Sequence, residues 1–127
     1  MHLLFIDYDW NNLRVMQNVF ELWGYTVTIC SNKTQVGQIH DRESFDAIIT
    51  ELHIPGENPA ELISLMRRRW TKTPIIVLTE NHSVKFAIQA MKDGANDVLQ
   101  KPMEPEQLRG FLAGMMGPLR GEGMSAS

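Results

Sequence analysis

Five short apolar runs, at residues 3–6, 25–30, 46–50, 74–79 and 97–100, recur along the chain, and the segments between them have helical spacing. Short β-branched and aromatic runs alternating with helical segments predict βαβ units and a parallel sheet. The first run is continuously apolar and stops abruptly at Asp7, as expected of a strand covered on both faces with polar groups at its carboxyl end. The pattern therefore predicts an α/β chain built on a five-stranded, doubly wound parallel sheet.

The intervening segments carry their own start and stop signals. Asn11 or Asn12 is expected to cap the first helix, with Leu13, Met16, Phe20 and Trp23 near one face and Gly24 as a left-handed stop. A weak polar helix is expected over about 32–42, where Gly37 lowers its propensity. Pro55, Gly56 and Pro59 enforce a loop before a third helix over 60–70, which buries Leu62, Ile63, Leu65 and Met66. Pro74 opens the fourth strand, a position where a missing amide donor is tolerated. Ser83 is expected to cap a fourth helix through Met91 with Gly94 as its stop, and Pro105 opens a last helix to about Met116.

With 127 residues and 43% hydrophobic content, the chain fits one domain, expected over 1–116, followed by a glycine- and serine-rich flexible tail or linker stub at 117–127. A net charge of −3 supplies no electrostatic footprint for direct nucleic-acid binding. No apolar run approaches the roughly 20 residues that span a bilayer, and Asp7 and Asp9 interrupt the N-terminal run too early for a secretory leader. The single cysteine, Cys30, cannot form an internal disulfide, which suits a reducing cytoplasm; on a strand it reads as a small hydrophobe.

Right-handed crossovers bring functional groups together beyond the carboxyl ends of the central strands. The residues expected there are Asp7, Tyr8, Asp9 and Trp10 after the first strand, Glu51 and His53 after the third, Thr79 and Glu80 after the fourth, and Lys101 after the fifth. Such acids, a hydroxyl and a lysine can hold a hard cation and a phosphoryl group, the lysine neutralising charge and the hydroxyl donating to an oxygen. Asp and Thr at strand ends also serve as ordinary helix caps. His2, His40, His53 and His82 lack metal-ligand spacing. Arg67, Arg68 and Arg69 read as a solvated helix end that complements the dipole, and Met115 and Met116 read as terminal core packing.

Four segments, in order, carry a resemblance: Ile6-Asp7-Tyr8-Asp9, Glu51-Leu52-His53-Ile54-Pro55-Gly56, Leu78-Thr79, and Gly94 through Pro102. Over residues 1 to about 116 the chain resembles the response-regulator receiver domain, which implies a flavodoxin-like (βα)5 fold with strand order 2-1-3-4-5. The resemblance implies that Asp7 belongs to an acidic Mg²⁺ pocket with the residue at position 51 and the backbone carbonyl of His53. It makes Thr79 the switch hydroxyl and Lys101 the phosphate-contacting lysine. The departures are Glu51 at the phosphoacceptor aspartate position, Tyr8 in place of the second acid, Val98 at the switch aromatic position, and Glu80 in place of a small residue.

Glutamate is a competent acceptor in principle, but a misplacement of about 1 Å can cost roughly a hundredfold in rate, so the extra methylene of Glu51 is expected to be damaging. Tyr8 offers a neutral phenol where an anionic ligand is needed, which is expected to weaken any Mg²⁺ site; Asp9 compensates only in part, since alternation along a strand turns it the other way. The longer Glu51 side chain comes within reach of Lys101, and a permanent pair there would imitate a phosphorylated state. Without a ring at Val98, Thr79 loses its coupling partner, and a domain fixed in one conformation is expected.

The expected function is a degenerate, cytoplasmic, non-enzymatic receiver of two-component phosphorelay signal transduction. It would act through phosphorylation-independent contacts with an output domain or downstream protein, with a homodimer face formed by the fourth helix, fifth strand and fifth helix. The alternative is a receiver phosphorylated by a histidine kinase or phosphotransfer protein with Mg²⁺. A flavodoxin-like enzyme or cofactor binder is disfavoured, because the first strand-to-helix turn has no glycine-rich phosphate loop and no Gly-x-Ser-x-Gly elbow is present.

Overall fold

Side chains alternate across a strand, and in the first strand that alternation divides the interior in two: Leu3 and Phe5 face one side, Leu4 and Ile6 the other. A computed structural model of the chain describes residues 1–117. The elements run β1 (His2–Ile6), α1 (Trp10–Leu22), β2 (Thr26–Cys30), α2 (Lys33–Gly37), β3 (Ala47–Thr50), α3 (Pro59–Arg69), β4 (Ile75–Thr79), α4 (Val84–Asp93), β5 (Asp97–Gln100) and α5 (Pro105–Met116). All pairings are parallel and the strand order is 2-1-3-4-5, as expected, with Leu4 of β1 opposite Thr28 of β2 and Ile48 of β3.

On one face of the sheet, Leu4, Ile6, Ile48, Ile75 and Val77 pack with Val36, Leu62, Ile63, Met66 and Ala90 from α2, α3 and α4. On the other, Leu3, Phe5, Ala47, Ile49, Ile76 and Leu78 pack with Leu13 and Phe20 of α1 and Leu108 and Leu112 of α5. Met115 and Met116 lie half-buried against this second core. Burying one such aliphatic side chain is worth about 1.5–3 kcal/mol, so these two cores supply the main drive for the fold.

Several local expectations are corrected. The cap of α1 is neither Asn11 nor Asn12 but Asp9, whose Oδ1 accepts from the amides of Asn11 (2.9 Å) and Asn12 (3.2 Å). Its backbone is extended, the geometry a cap requires. Helix α2 ends at Gly37, five residues before the expected limit at 42, because only Val36 finds a buried contact and glycine follows it. Gly24 and Gly94 do end their helices, with φ of 97° and 131° where a side chain would be strained.

Of the arginine run only Arg68 is exposed as expected; Arg67 and Arg69 turn back onto the chain. The Arg67 guanidinium donates to the carbonyls of Trp70 (3.0 Å), Thr73 (2.8 Å) and Gly94 (2.8 Å) and to Asn96 Oδ1 (2.6 Å). Arg69 donates to the carbonyls of Val36 (2.6 Å) and Ile39. Chain segments past helix ends present carbonyls without helical partners, and the five donors of a guanidinium can satisfy several at once. The expected domain limit at 116 coincides with the end of α5, and the tail expected at 117–127 lies, apart from Gly117, outside the described residues.

Candidate functional site

The main-chain ladder continues one residue beyond each central strand, and this fixes where the polar residues stand. Asp7 N donates to the Cys30 carbonyl (3.2 Å), Glu51 N to the Ile6 carbonyl (2.9 Å) and Lys101 N to the Thr79 carbonyl (2.8 Å). Asp7, Glu51 and Lys101 thus leave the same edge of the sheet. They line one open cleft of about 880 Å³ with Tyr8, Asp9, Asn12, His53, Glu80 and His82, and its apolar wall includes Phe5, Met16, Met103 and Leu108.

Both buried carboxylates have a protein partner at each oxygen. Asp7, only 3% exposed, accepts from the Asp9 amide on Oδ1 (3.0 Å) and from the Asn12 side-chain amide on Oδ2 (2.5 Å). Glu51, 7% exposed, accepts from the amides of Leu52 (2.9 Å) and His53 (3.1 Å) on Oε1, while Lys101 Nζ stands 3.4 Å from Oε2. These contacts meet the requirement that a buried carboxylate be hydrogen-bonded or paired.

The other expected site residues divide. Thr79 is fully buried and its hydroxyl accepts from the Asn81 amide (3.0 Å); it does not line the cleft. Tyr8 lies at the rim, 54% exposed. Asp9, expected to support a metal in part, has one oxygen committed to the cap of α1. Val98 is half-buried and packs against the α3/α4 core. His53 is exposed, and its ring stacks on Phe86 of α4 at 5.0 Å.

Two contributors escaped the sequence reading. Asn12 was considered only as a cap, yet its amide holds Asp7; a polar residue five positions after an acid, in the first helical turn, was the available signal. The His82 ring contacts the Lys101 carbonyl (3.0 Å) and ties the β4–α4 loop to the residue whose ammonium meets Glu51. Nothing in the spacing of these two residues indicates that contact.

A divalent cation of the magnesium type requires near-octahedral oxygen ligands at 2.0–2.1 Å. Here each carboxylate oxygen of Asp7 and Glu51 already takes a protein donor. Among the described residues no group of three or more His, Cys, Asp or Glu side chains is placed to hold a metal. As arranged, the site offers such an ion the remaining lone pairs of two carboxylates that already share their oxygens with protein donors.

Comparison with known proteins bears on the whole of this architecture. The family model for the response regulator receiver domain matches residues 3–113. The chain belongs to the response regulator receiver domain family. This receiver is 30% identical over 122 residues to the uncharacterized transcriptional regulatory protein YkoG of Bacillus subtilis, covering 96% of this chain and 52% of that protein. It is also 30% identical over 107 residues to the alginate biosynthesis transcriptional regulatory protein AlgB of Pseudomonas aeruginosa, covering 84% of this chain but 24% of that one. The receiver thus spans about half or less of these two relatives.

Among solved structures, a two-component response regulator from Clostridium difficile superposes with a TM-score of 0.84 at 22% identity, over 94% of this receiver and 98% of that chain, a likeness of fold. A response regulator protein from Burkholderia pseudomallei, solved with a phosphorylated aspartic acid, calcium ion and citrate, matches with a TM-score of 0.80 at 28% identity. That match covers 98% of this receiver and 71% of that chain.

Proposed function

We propose that this receiver domain signals through protein contacts without being phosphorylated, with Glu51 at the phosphoacceptor position permanently paired to Lys101. The observation that carries the reading is the Glu51 carboxylate itself, with two backbone amides on one oxygen and the Lys101 ammonium 3.4 Å from the other. A carboxylate so engaged, one methylene longer than aspartate, is poorly placed for in-line attack on a phosphoryl donor. Asp7 and the backbone carbonyl of His53 remain from the family's metal pocket, but Tyr8 supplies no anionic ligand and Mg²⁺ binding is correspondingly weak.

In this reading Thr79 and Lys101 retain their positions without a switch to operate. The Thr79 hydroxyl is engaged by the Asn81 amide, and Val98 offers no ring to turn with it. The domain therefore holds one conformation. Its partner is an output domain or a downstream protein, met through the face of α4, β5 and α5, which also serves for a homodimer. On α4, Val84, Ile88 and Met91 are exposed at spacings that put them on one side of the helix. The unit is residues 1–116, non-enzymatic and cytoplasmic.

The deciding experiment is intact mass after incubation with a small-molecule phosphodonor and Mg²⁺, with wild type and Glu51→Asp side by side. Wild type is expected to stay unmodified. A phosphoryl group gained by wild type would overturn the reading and return the domain to control by a histidine kinase. Modification of Glu51→Asp alone would identify the glutamate as the sole block; modification of neither would assign the block to the metal pocket as well.

A further inference from the structure

Lys101 answers the charge of Glu51, but among the described residues no cationic side chain forms an ion pair with Asp7. Asp7 is almost completely buried, and the partners on its two oxygens are both neutral: the Asp9 backbone amide and the Asn12 side-chain amide. Of these only Asn12 is a side-chain choice, since any residue at position 9 would bring a backbone N–H except proline. The Asn12 nitrogen approaches Oδ2 to 2.5 Å and so shares that oxygen with any hard cation that would bind there. Asn12 is itself half-buried in the first turn of α1, so its amide is held in place by the helix it belongs to.

We propose that Asn12 is the built-in substitute for a cation at Asp7, a positioning residue whose amide stabilises the buried carboxylate and excludes divalent ions from the pocket. The proposal rests on the reading that the pocket works without phosphoryl transfer, and adds to Tyr8 and Glu51 a third residue that sets its metal independence. The amide supplies the hydrogen bond a buried carboxylate needs, without the positive charge that would draw in a phosphoryl group. The neighbouring Lys101 ammonium adds repulsion toward any cation approaching Glu51.

The test uses the isosteric exchange Asn12→Asp, which replaces the amide by a carboxylate against Asp7, with melting temperature and calorimetric Mg²⁺ affinity as readouts. Wild type is expected to melt at the same temperature in EDTA and in MgCl₂. Asn12→Asp is expected to melt lower in EDTA, to recover in MgCl₂, and to bind Mg²⁺ at least about tenfold more tightly than wild type. A loss of stability that Mg²⁺ does not restore would mean an ordinary structural hydrogen bond and would overturn the proposal, as would equal Mg²⁺ affinities of wild type and variant.

Should Asn12→Asp fail to fold, Asn12→Ala carries the test. It is expected to gain severalfold in Mg²⁺ affinity over wild type, and no gain sinks the idea. The two readings fail separately. Phosphorylation of wild type removes the first without altering the metal comparison, whereas indifferent Asn12 variants remove the second while leaving the Glu51 to Lys101 pair intact.

Discussion

Cys30 closes β2 with its thiol in the interior, and burial pushes that thiol up from its ordinary 9.0 to about 11. The thiolate is the reactive form, so native protein at about pH 8 is expected to resist iodoacetamide and denatured protein to react fully; rapid native alkylation would contradict the burial. The sign of the pH dependence follows. The folded-state pKa lies above the unfolded one, so this group leaves stability unchanged below about pH 9 and lowers it between about 9 and 11, where the unfolded chain ionises first. Comparing denaturant midpoints of wild type and Cys30→Ala across that window isolates the effect. At this same scale, Asp7, Glu51 and Lys101 were legible because each interrupts or ends an apolar run at a strand's carboxyl edge, a position the chain order alone defines. Asn12 was not, because its contact with Asp7 depends on how the first turn of α1 folds back over the strand end.

Elements are held at their ends as much as along their faces. Asp9→Ala removes the side-chain acceptor for the first amides of α1 and is expected to cost about 1 kcal/mol, read as a lower denaturant midpoint; an unchanged midpoint would contradict the assignment of the cap. Arg67 has a larger reach, joining the end of α3 to the carbonyls that lead into β4 and out of α4. Arg67→Met keeps the aliphatic stem but strips the donors, and is expected to cost about 2–4 kcal/mol in chemical denaturation. A loss below about 0.5 kcal/mol would return Arg67 to the solvated role the sequence suggested. Such bonds to carbonyls outside the helix leave no periodic trace, which is why Arg67 and Arg69 were misread while exposed Arg68 was not. The length of α2 was misread for a related reason: its propensity is weak, and its end is set by what Val36 can reach.

For the molecule as a whole, the order of short apolar runs and helical segments made the α/β class legible, and the receiver resemblance supplied the strand order. Exposed surface was not legible, since an apolar residue on a helix reads the same whether it faces core or solvent. On α4 the exposed Val84, Ile88 and Met91 make a surface whose use can be measured directly. Ile88→Glu is expected to leave stability within about 0.5 kcal/mol of wild type while weakening self-association or partner binding in sedimentation; association at full strength would remove this face from the proposed interface. The separation of the interior by the sheet leads to a different expectation. Ile49 belongs to the core under α1 and α5, Ile63 to the core under α3 and α4. Ile49→Val and Ile63→Val should each cost about 0.5–1.5 kcal/mol, and the double variant should match their sum within about 0.5 kcal/mol. A sheet that insulates its two sides in this way lets substitutions accumulate on one of them without compensating change on the other, so the two halves of this interior are free to drift apart in sequence at their own rates.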